Sequence, residues 1–337
     1  MIVLGVETSC DECAASVVEN GTRILSEVVA SQIEDHRPFY GVVPEIASRR
    51  HIETISRVVE QVLEEAKMKA TEVDGLAVTY QPGLIGSLLV GLSFTKGLAF
   101  ALEKPLVGVD HILAHLYAPH LETDISYPYI GLLVSGGHTV IARVEDFDTM
   151  RVLGTTIDDA CGEAFDKVAK HYDMGFPGGA AIDRLSQNGS SQAFRFPWPS
   201  LHKGHHPFDL SYSGLKTAVV NQLDQFWNRD FEKSKENIAA SFQGTAIDIL
   251  VDRTVKAAGH TGLNRIVVGG GVAANSYLRK QLSGQPDLEV NFPSLRLCTD
   301  NAAMVAGLGY HMLRKGQRSE LSLNACARVQ GLRRLYP

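Results

Sequence analysis

A chain of 337 residues is long enough for two domains, or for two lobes around a cleft. With 45% hydrophobic and 21% charged residues it has the composition of a soluble globular enzyme, so disorder is not its default. A net charge of −6 argues against a nucleic-acid platform that relies on an overall positive field. Local basic surfaces remain, at Arg49, Arg50 and Arg57, or at Lys203 with His202, His205 and His206.

The first apolar segment, residues 2–7, reads as a strand running into the polar turn Thr8-Ser9-Cys10-Asp11-Glu12. Residues 14–18 and 24–29 read as two more strands around the turn Glu19-Asn20-Gly21. A loop over 39–44 precedes an amphipathic helix over 45–67, with Ile46, Ile52, Ile55, Val58, Val59, Val62 and Leu63 at helical spacing. A strand at 73–79 and the turn Gln81-Pro82-Gly83 lead into the apolar run 84–102. Ser87, Ser93, Thr95, Lys96 and three glycines interrupt that run, which suits a buried helix better than a membrane span. A short strand at 107–109 ends where a helix begins near Asp110.

After Tyr127-Pro128 the pattern restarts, with strands at 129–134, 139–144 and 150–155 and a helix over 162–172. Further helices are predicted over 215–226, 237–258 and 274–282, a strand at 265–268, and a last long helix from about Asn301. Three strands followed by helix–strand alternation thus occur twice, an internal duplication of pattern rather than of residue identity. The expected division is 1–125 joined by a C-terminal helix at about 300–337, and 126–299 with an insertion at about 189–213. Two such units would place their hairpin turns at a shared nucleotide cleft.

The five cysteines, Cys10, Cys13, Cys161, Cys298 and Cys326, are scattered, and no signal-type segment is apparent; a cytoplasmic setting with reduced thiols is expected. Cys10-x-x-Cys13 falls in a hairpin rather than at a helix start, which weakens a redox reading.

Four features carry chemistry. Ser135-Gly136-Gly137 lies between two strands, where missing Cβ atoms let backbone N–H groups approach an anion. His111 and His115 stand at i and i+4, a spacing that suits a divalent metal. Asp300 is the best third ligand, although Thr299, Asp300 or Asn301 would each serve equally as a helix N-cap. His₂Asp suits zinc or iron(II). Gly269-Gly270-Gly271 opens a helix and would hold a phosphate or simply pack it, and Asp166 either meets ligand hydroxyls or pairs with Lys170.

Taken together, Glu7-Thr8-Ser9-Cys10-Asp11-Glu12, Gly41-Val42-Val43-Pro44-Glu45, Pro82-Gly83-Leu84-Ile85-Gly86, His111-x-x-x-His115, Val134-Ser135-Gly136-Gly137-His138-Thr139, Gly162-Glu163-Ala164-Phe165-Asp166-Lys167, Phe176-Pro177-Gly178-Gly179, Ser211-Tyr212-Ser213-Gly214-Leu215-Lys216-Thr217, Gly269-Gly270-Gly271-Val272-Ala273-Ala274-Asn275 and Cys298-Thr299-Asp300-Asn301 closely resemble the TsaD family. These are the tRNA N6-adenosine threonylcarbamoyltransferases, formerly called glycoprotein endopeptidases. His138 resembles the bacterial branch. Cys13, Gln81 and Ala180 depart from the usual Thr, Gly and Pro.

The resemblance implies an α/β, duplicated actin/Hsp70-like ATPase fold (ASKHA, RNase H-like) with two lobes around a nucleotide cleft. It implies one divalent ion, Fe²⁺ or Zn²⁺, on His111, His115 and Asp300, and leaves room for ATP or ADP with Mg²⁺. It places threonylcarbamoyl-adenylate on Leu133, Val134, Ser135, Gly136, Gly137, Asp166, Gly179, Asp183 and Asn275. It implies transfer to N6 of adenosine 37 in tRNA, with a TsaB-like degenerate homologue, a TsaE-like P-loop ATPase and a TsaC-like adenylate synthase as partners. Asp11 or Glu12 is our own candidate for the proton acceptor. A kinase of the same fold and a scaffold paralogue are the rival classes. Ile112 after His111, where a zinc peptidase needs Glu, counts against peptidase chemistry.

Overall fold

The computed structural model describes residues 1–199 and 207–329. In chain order the elements are β1 (Ile2–Glu7), β2 (Glu12–Glu19), β3 (Arg23–Ser31), α1 (Ile33–His36), α2 (Pro44–Glu65), β4 (Gly75–Gln81), α3 (Ile85–Leu102), β5 (Leu106–Asp110), α4 (His111–Tyr117), β6 (Tyr129–Val134), β7 (Thr139–Asp146), β8 (Thr149–Thr155), α5 (Cys161–His171), α6 (Gly178–Ser186), α7 (Ser213–Asn221), α8 (Leu223–Phe226), α9 (Lys235–Thr261), β9 (Arg265–Gly269), α10 (Ser276–Ser283), β10 (Glu289–Asn291) and α11 (Ala302–Arg314). They form two compact units, Met1–Ser126 together with the chain from Pro293, and Tyr127–Phe292.

Each unit is built on the same five-stranded plan. The first sheet runs β3-β2-β1-β4-β5 and the second, read from its other edge, β8-β7-β6-β9-β10. In each, the first strand is central, pairs antiparallel with a hairpin partner and parallel with a strand that returns after a helix. Antiparallel neighbours need only a tight turn, and parallel ones need a crossover. The turn Asn20-Gly21 supplies the first with left-handed φ of 53° and 83°. Both central strands are buried almost throughout, which explains their continuous apolar runs, IVLGVE and YIGLLV.

In the first unit α11 lies on the sheet against β1, β2 and β4. A Cβ on Gly5 would stand 2.5 Å from the Ala302 carbonyl oxygen and 2.7 Å from the Ala306 nitrogen, so glycine there sets the helix–sheet distance. Helix α3 is long and apolar enough to cross a membrane by length and composition, with a mean hydropathy of 1.6. In the fold it packs on α2 and β4, and Gly91 takes the Thr8 side chain against its backbone.

Several elements differ from the sequence expectation. The last helix ends at Arg314 instead of continuing towards 337: Gly316 adopts φ 85°, and the Gly316 and Gln317 N–H groups donate back to Leu313 and Met312 carbonyls. The chain beyond it runs beside β5 and β4, with Ser319 N–H donating to Leu106 O and Cys326 N–H to Tyr80 O. The helix expected over 215–226 breaks at Gln222 (φ −131°, ψ 19°) into α7 and α8. Gly178–Ser186 is a short helix that begins directly after Pro177, with both glycines in its first turn. The three-residue β10 carries too little pattern to be read. His202, Lys203, His205 and His206, and with them part of the insertion at 189–213, lie outside the described residues.

Candidate functional site

Helix α4 begins abruptly because Asp110 caps it. The Asp110 carboxylate accepts from the N–H groups of Ile112 (2.8 Å) and Leu113 (3.1 Å) and from Gln81 Nε2 (3.1 Å). Gln81, a departure from the family pattern, thus braces the cap of the histidine helix. His111 and His115 follow on successive turns with ring centroids 4.5 Å apart, both buried. Asn301, not Asp300, caps α11 by accepting from Met304 N–H at 3.0 Å. Asp300 is therefore free to turn towards the histidines: its Oδ1 lies 3.0 Å from His115 Nε2 and 3.5 Å from His111 Nε2.

The candidate ligand atoms of His111, His115 and Asp300 lie within 4.8 Å of one another. Two imidazole nitrogens and one carboxylate oxygen converge here in a buried place, a borderline-soft donor set that fits zinc or iron(II).

Glu7 and Ser9 complete the group, and neither was singled out as a site residue from the sequence. Glu7 is fully buried at the end of β1, with Oε2 3.0 Å from His111 Nδ1. The same carboxylate accepts from Thr79 Oγ1 at 2.6 Å and from the Ser9 N–H. Ser9 Oγ reaches His111 Nδ1 at 3.3 Å and Asp300 Oδ2 at 3.5 Å. Burial pulls the His111 imidazolium down, but Asp300 and Glu7 outweigh it and raise the group to about 9. Burial and then the neighbouring His111 hold His115 below its usual range. Burial would raise Asp300 and Glu7, yet His111 and His115 hold Asp300, and His111 with the Thr79 hydroxyl holds Glu7, below the usual carboxylate range. The signal for Glu7 was present: an acidic residue closing an otherwise apolar strand.

The turn carrying Asp11 and Glu12 is fixed from behind by a buried relay. Val43 N–H donates to His36 Nδ1 (3.3 Å), His36 Nε2–H to Gln32 Oε1 (3.3 Å), Gln32 Nε2 to His51 Nδ1 (3.2 Å), and His51 Nε2–H to the Cys10 carbonyl (2.9 Å). Each link dictates the next, so both rings take a single neutral tautomer. Glu12 accepts from Ser31 Oγ at 3.4 Å; burial, with Asp300 and Asp11 nearby, pushes it up to about 10.

In the second unit, β6 and β9 pair in parallel with Leu133 opposite Gly269, so the turns after both strands are neighbours. Gly270, at φ 91°, brings its backbone against the Val134 carbonyl. Gly162, at the start of α5, sits equally close: a Cβ there would be 2.7 Å from Ser135 O and 2.9 Å from Gly136 Cα. Ser135 closes its turn with Ser135 N–H to His138 O (2.8 Å) and His138 N–H to Ser135 Oγ (3.1 Å). Leu133 and Val134 are buried in β6 and have only backbone to offer a ligand. A Cβ on Gly136, Gly137, Gly179 or Gly271 would meet nothing within 4 Å, and none of the four adopts a positive φ. The fold alone does not demand glycine at those positions.

The other candidates are tied into this frame. Asp166 Oδ1 accepts from Gly178 N–H at 2.8 Å, fixing α6 to α5. Asp183 accepts from Ser276 N–H (3.2 Å) and Oγ (2.8 Å) at the start of α10. Asn275 caps α10 through Leu278 N–H (2.9 Å) and donates to Gln243 Oε1 (2.7 Å). Asp11 and Glu12 belong to the first unit with the histidines, and the glycine turns belong to the second.

Among solved structures, full-length HypF in a phosphate- and nucleotide-bound form aligns with a TM-score of 0.62 at 15% identity, covering 94% of this chain and 47% of that one. The Acidaminococcus fermentans (R)-2-hydroxyglutaryl-CoA dehydratase component A aligns at 0.57 and 14% identity, covering 93% and 99%. These likenesses establish the fold, a duplicated actin/Hsp70-like ATPase fold. In sequence, a tRNA N6-adenosine threonylcarbamoyltransferase of Treponema denticola is 60% identical over 98% of both chains. Its namesake in Treponema pallidum is 52% identical over 98% of this chain and 94% of the relative. Residues 23–307 match the profile of TsaD, tRNA N6-adenosine threonylcarbamoyltransferase. The chain belongs to the TsaD family of transferases.

Proposed function

We propose that the protein transfers the threonylcarbamoyl group of L-threonylcarbamoyl-adenylate to N6 of adenosine 37, forming t6A in tRNAs that read codons beginning with adenine and releasing AMP. The observation that carries this reading is 60% identity over nearly the full length to a transferase of that name, joined to a chain that retains the His111, His115 and Asp300 cluster. In the reaction the N6 amine forms a bond to the carbamoyl carbon, the bond from that carbon to the phosphate oxygen breaks, and the amine loses a proton. AMP is a good leaving group, so the catalyst has mainly to position the amine and stabilise charge.

The backbone N–H groups of the Ser135–Gly137 turn and the Gly269–Gly271 turn are assigned to the adenylate phosphate, supported by the open space over Gly136, Gly137 and Gly271. Asp166, Gly179, Asp183 and Asn275 are assigned to its nucleoside and to holding the helices that frame it. His111, His115 and Asp300 would hold a divalent ion, whose chemistry is to offset negative charge on a bound ligand. Glu7 and Ser9 orient those ligands, and Asp11, beside the protonated Glu12, is assigned to take the amine proton. ATP or ADP with Mg²⁺ is accommodated by the same reading.

Partners follow from the same family reading: a TsaB-like degenerate homologue, a TsaE-like P-loop ATPase, and a TsaC-like synthase supplying the adenylate. The homologue is assigned to the α2–α3 face, where Ile52, Leu89 and Phe100 are exposed. The test is mass spectrometry of nucleosides from tRNA incubated with the chain, these partners, threonine, bicarbonate and ATP. t6A is expected with the complete set and little with the chain alone. Its absence from the complete set overturns the transferase reading, and full turnover by the isolated chain on adenylate and tRNA overturns the partner requirement.

A further inference from the structure

Gln243 lies on α9, in the second unit, at the junction with α6 and α10. It is 3% exposed, so both ends of its amide must find partners inside the protein. Its Oε1 accepts from Asn275 Nδ2 at 2.7 Å, and its Nε2 donates to Ser186 Oγ at 2.8 Å. The direction of each bond is set by the next. Asn275 Oδ1 is engaged by the Leu278 N–H at the start of α10 (2.9 Å), which turns Asn275 Nδ2 towards Gln243. Ser186 spends its own hydrogen on the Asp183 carbonyl (2.8 Å), so its oxygen accepts from Gln243. Ser276, next to Asn275, returns to Asp183 through its N–H and its hydroxyl, one on each carboxylate oxygen.

The bonds close a ring through α6, α9 and α10. Neither amide can be turned over without setting two donors face to face. An amide nitrogen carries two hydrogens, and Gln243 takes one from Asn275. Asn275 therefore keeps one N–H for a ligand, in an orientation fixed before the ligand arrives. Such prior ordering removes a cost that binding would otherwise have to meet.

We propose that Gln243 is a positioning residue for the nucleoside of the adenylate. It holds Asn275 as a hydrogen-bond donor to that nucleoside and, through Ser186, holds Asp183 as its acceptor. The proposal rests on the reading of Asn275 and Asp183 as nucleoside contacts.

The test is AMP binding to the full-length chain by calorimetry, for wild type, Gln243→Met, Asn275→Ser and the double variant, with unfolding midpoints measured on the same samples. Methionine keeps the length of Gln243 without its polar atoms, and serine can still cap α10. Each single variant is expected to bind AMP about tenfold more weakly, the scale of one ordered hydrogen bond. Because Gln243 acts through Asn275, the double variant should lose little more than Asn275→Ser alone, and not the roughly hundredfold of two independent sites. A structural role for Gln243 would move the midpoint and leave the two losses independent. If Gln243→Met does not fold, Ser186→Ala, which releases Gln243 Nε2, should still weaken AMP severalfold. Wild-type AMP affinity in a folded Gln243→Met protein overturns the proposal, as do losses that multiply in the double variant. Failure of wild type to bind AMP would instead strike the adenylate reading itself, and this proposal with it.

Discussion

Glu7 Oε2 and His111 Nδ1 lie 3.0 Å apart, linking the end of the first strand to a helix that begins 104 residues later. The carboxylate is itself held by Thr79 Oγ1 and the Ser9 N–H, so it has little freedom to leave the imidazole. An acceptor on Nδ1 keeps the proton there and leaves Nε2 for a metal. Glu7→Gln should lower Zn²⁺ affinity about 10–100-fold, measured by competition with a chromophoric chelator. Wild-type affinity in a folded Glu7→Gln protein would show that the contact is structural only.

One divalent ion per chain is expected, lost when both histidines are removed. Elemental analysis of the His111→Ala, His115→Ala protein should find no stoichiometric metal. Full metal content there would place the ion elsewhere.

Two glycines only a short stretch apart should answer substitution in opposite ways. Gly137→Val projects into open space at a φ outside the left-handed region, so the unfolding midpoint without ligand should move little. Adenylate binding, if it uses those amides, should fall by at least about tenfold, roughly 1.4 kcal/mol. Gly162→Ala instead drives a Cβ to 2.7 Å from Ser135 O, a backbone atom that cannot move alone. It should cost about 1–3 kcal/mol of stability. Calorimetry with and without ligand separates the two. Retained binding in a folded Gly137→Val protein would remove this turn from the phosphate site.

Acid sensitivity is expected from His120, buried and stacked on Tyr117 with ring centroids 5.2 Å apart. Burial, and then the neighbouring His311, lowers it from 6.5 to about 4. The unfolded chain binds this proton first, so the contribution is intact above about pH 6.5 and is lost as pH falls towards 4, by about 3 kcal/mol at most. His120→Phe keeps a ring and removes the proton. Its stability should depend less steeply on pH between 4 and 6.5 by urea unfolding, and an unchanged slope would refute the assignment.

Much of this architecture is legible in the residues. The apolar runs that become β1 and β6 stand out because central strands are buried on both faces, and Asn20-Gly21 announces its hairpin. What hid was set by tertiary contact. Asp300 and Asn301 are equivalent cap candidates until the fold shows Asn301 bonded to Met304. Gly178 and Gly179 argue locally against a helix, and only the Asp166 carboxylate on Gly178 N–H shows why one starts there. Gln32, His36 and His51 are ordinary polar residues in sequence, and their relay exists only because α1 and α2 bring them together. Lys167 and Lys216, 49 positions apart, meet through a carboxylate that no spacing rule connects to both.

The burial of α11 against β1 has a consequence for how the chain is made. The residues that cover this face of the first sheet, Ala302–Arg314, leave the ribosome only after all of Tyr127–Phe292 has been synthesised. At about 5–20 residues per second, the nascent sheet waits on the order of ten seconds or more for its cover. The second unit is contiguous and carries its own core, so it can close while the first is still incomplete. A ribosome stalled before Ala302 would therefore hold a finished second unit beside a first sheet with a bare apolar face, the species most in need of a chaperone.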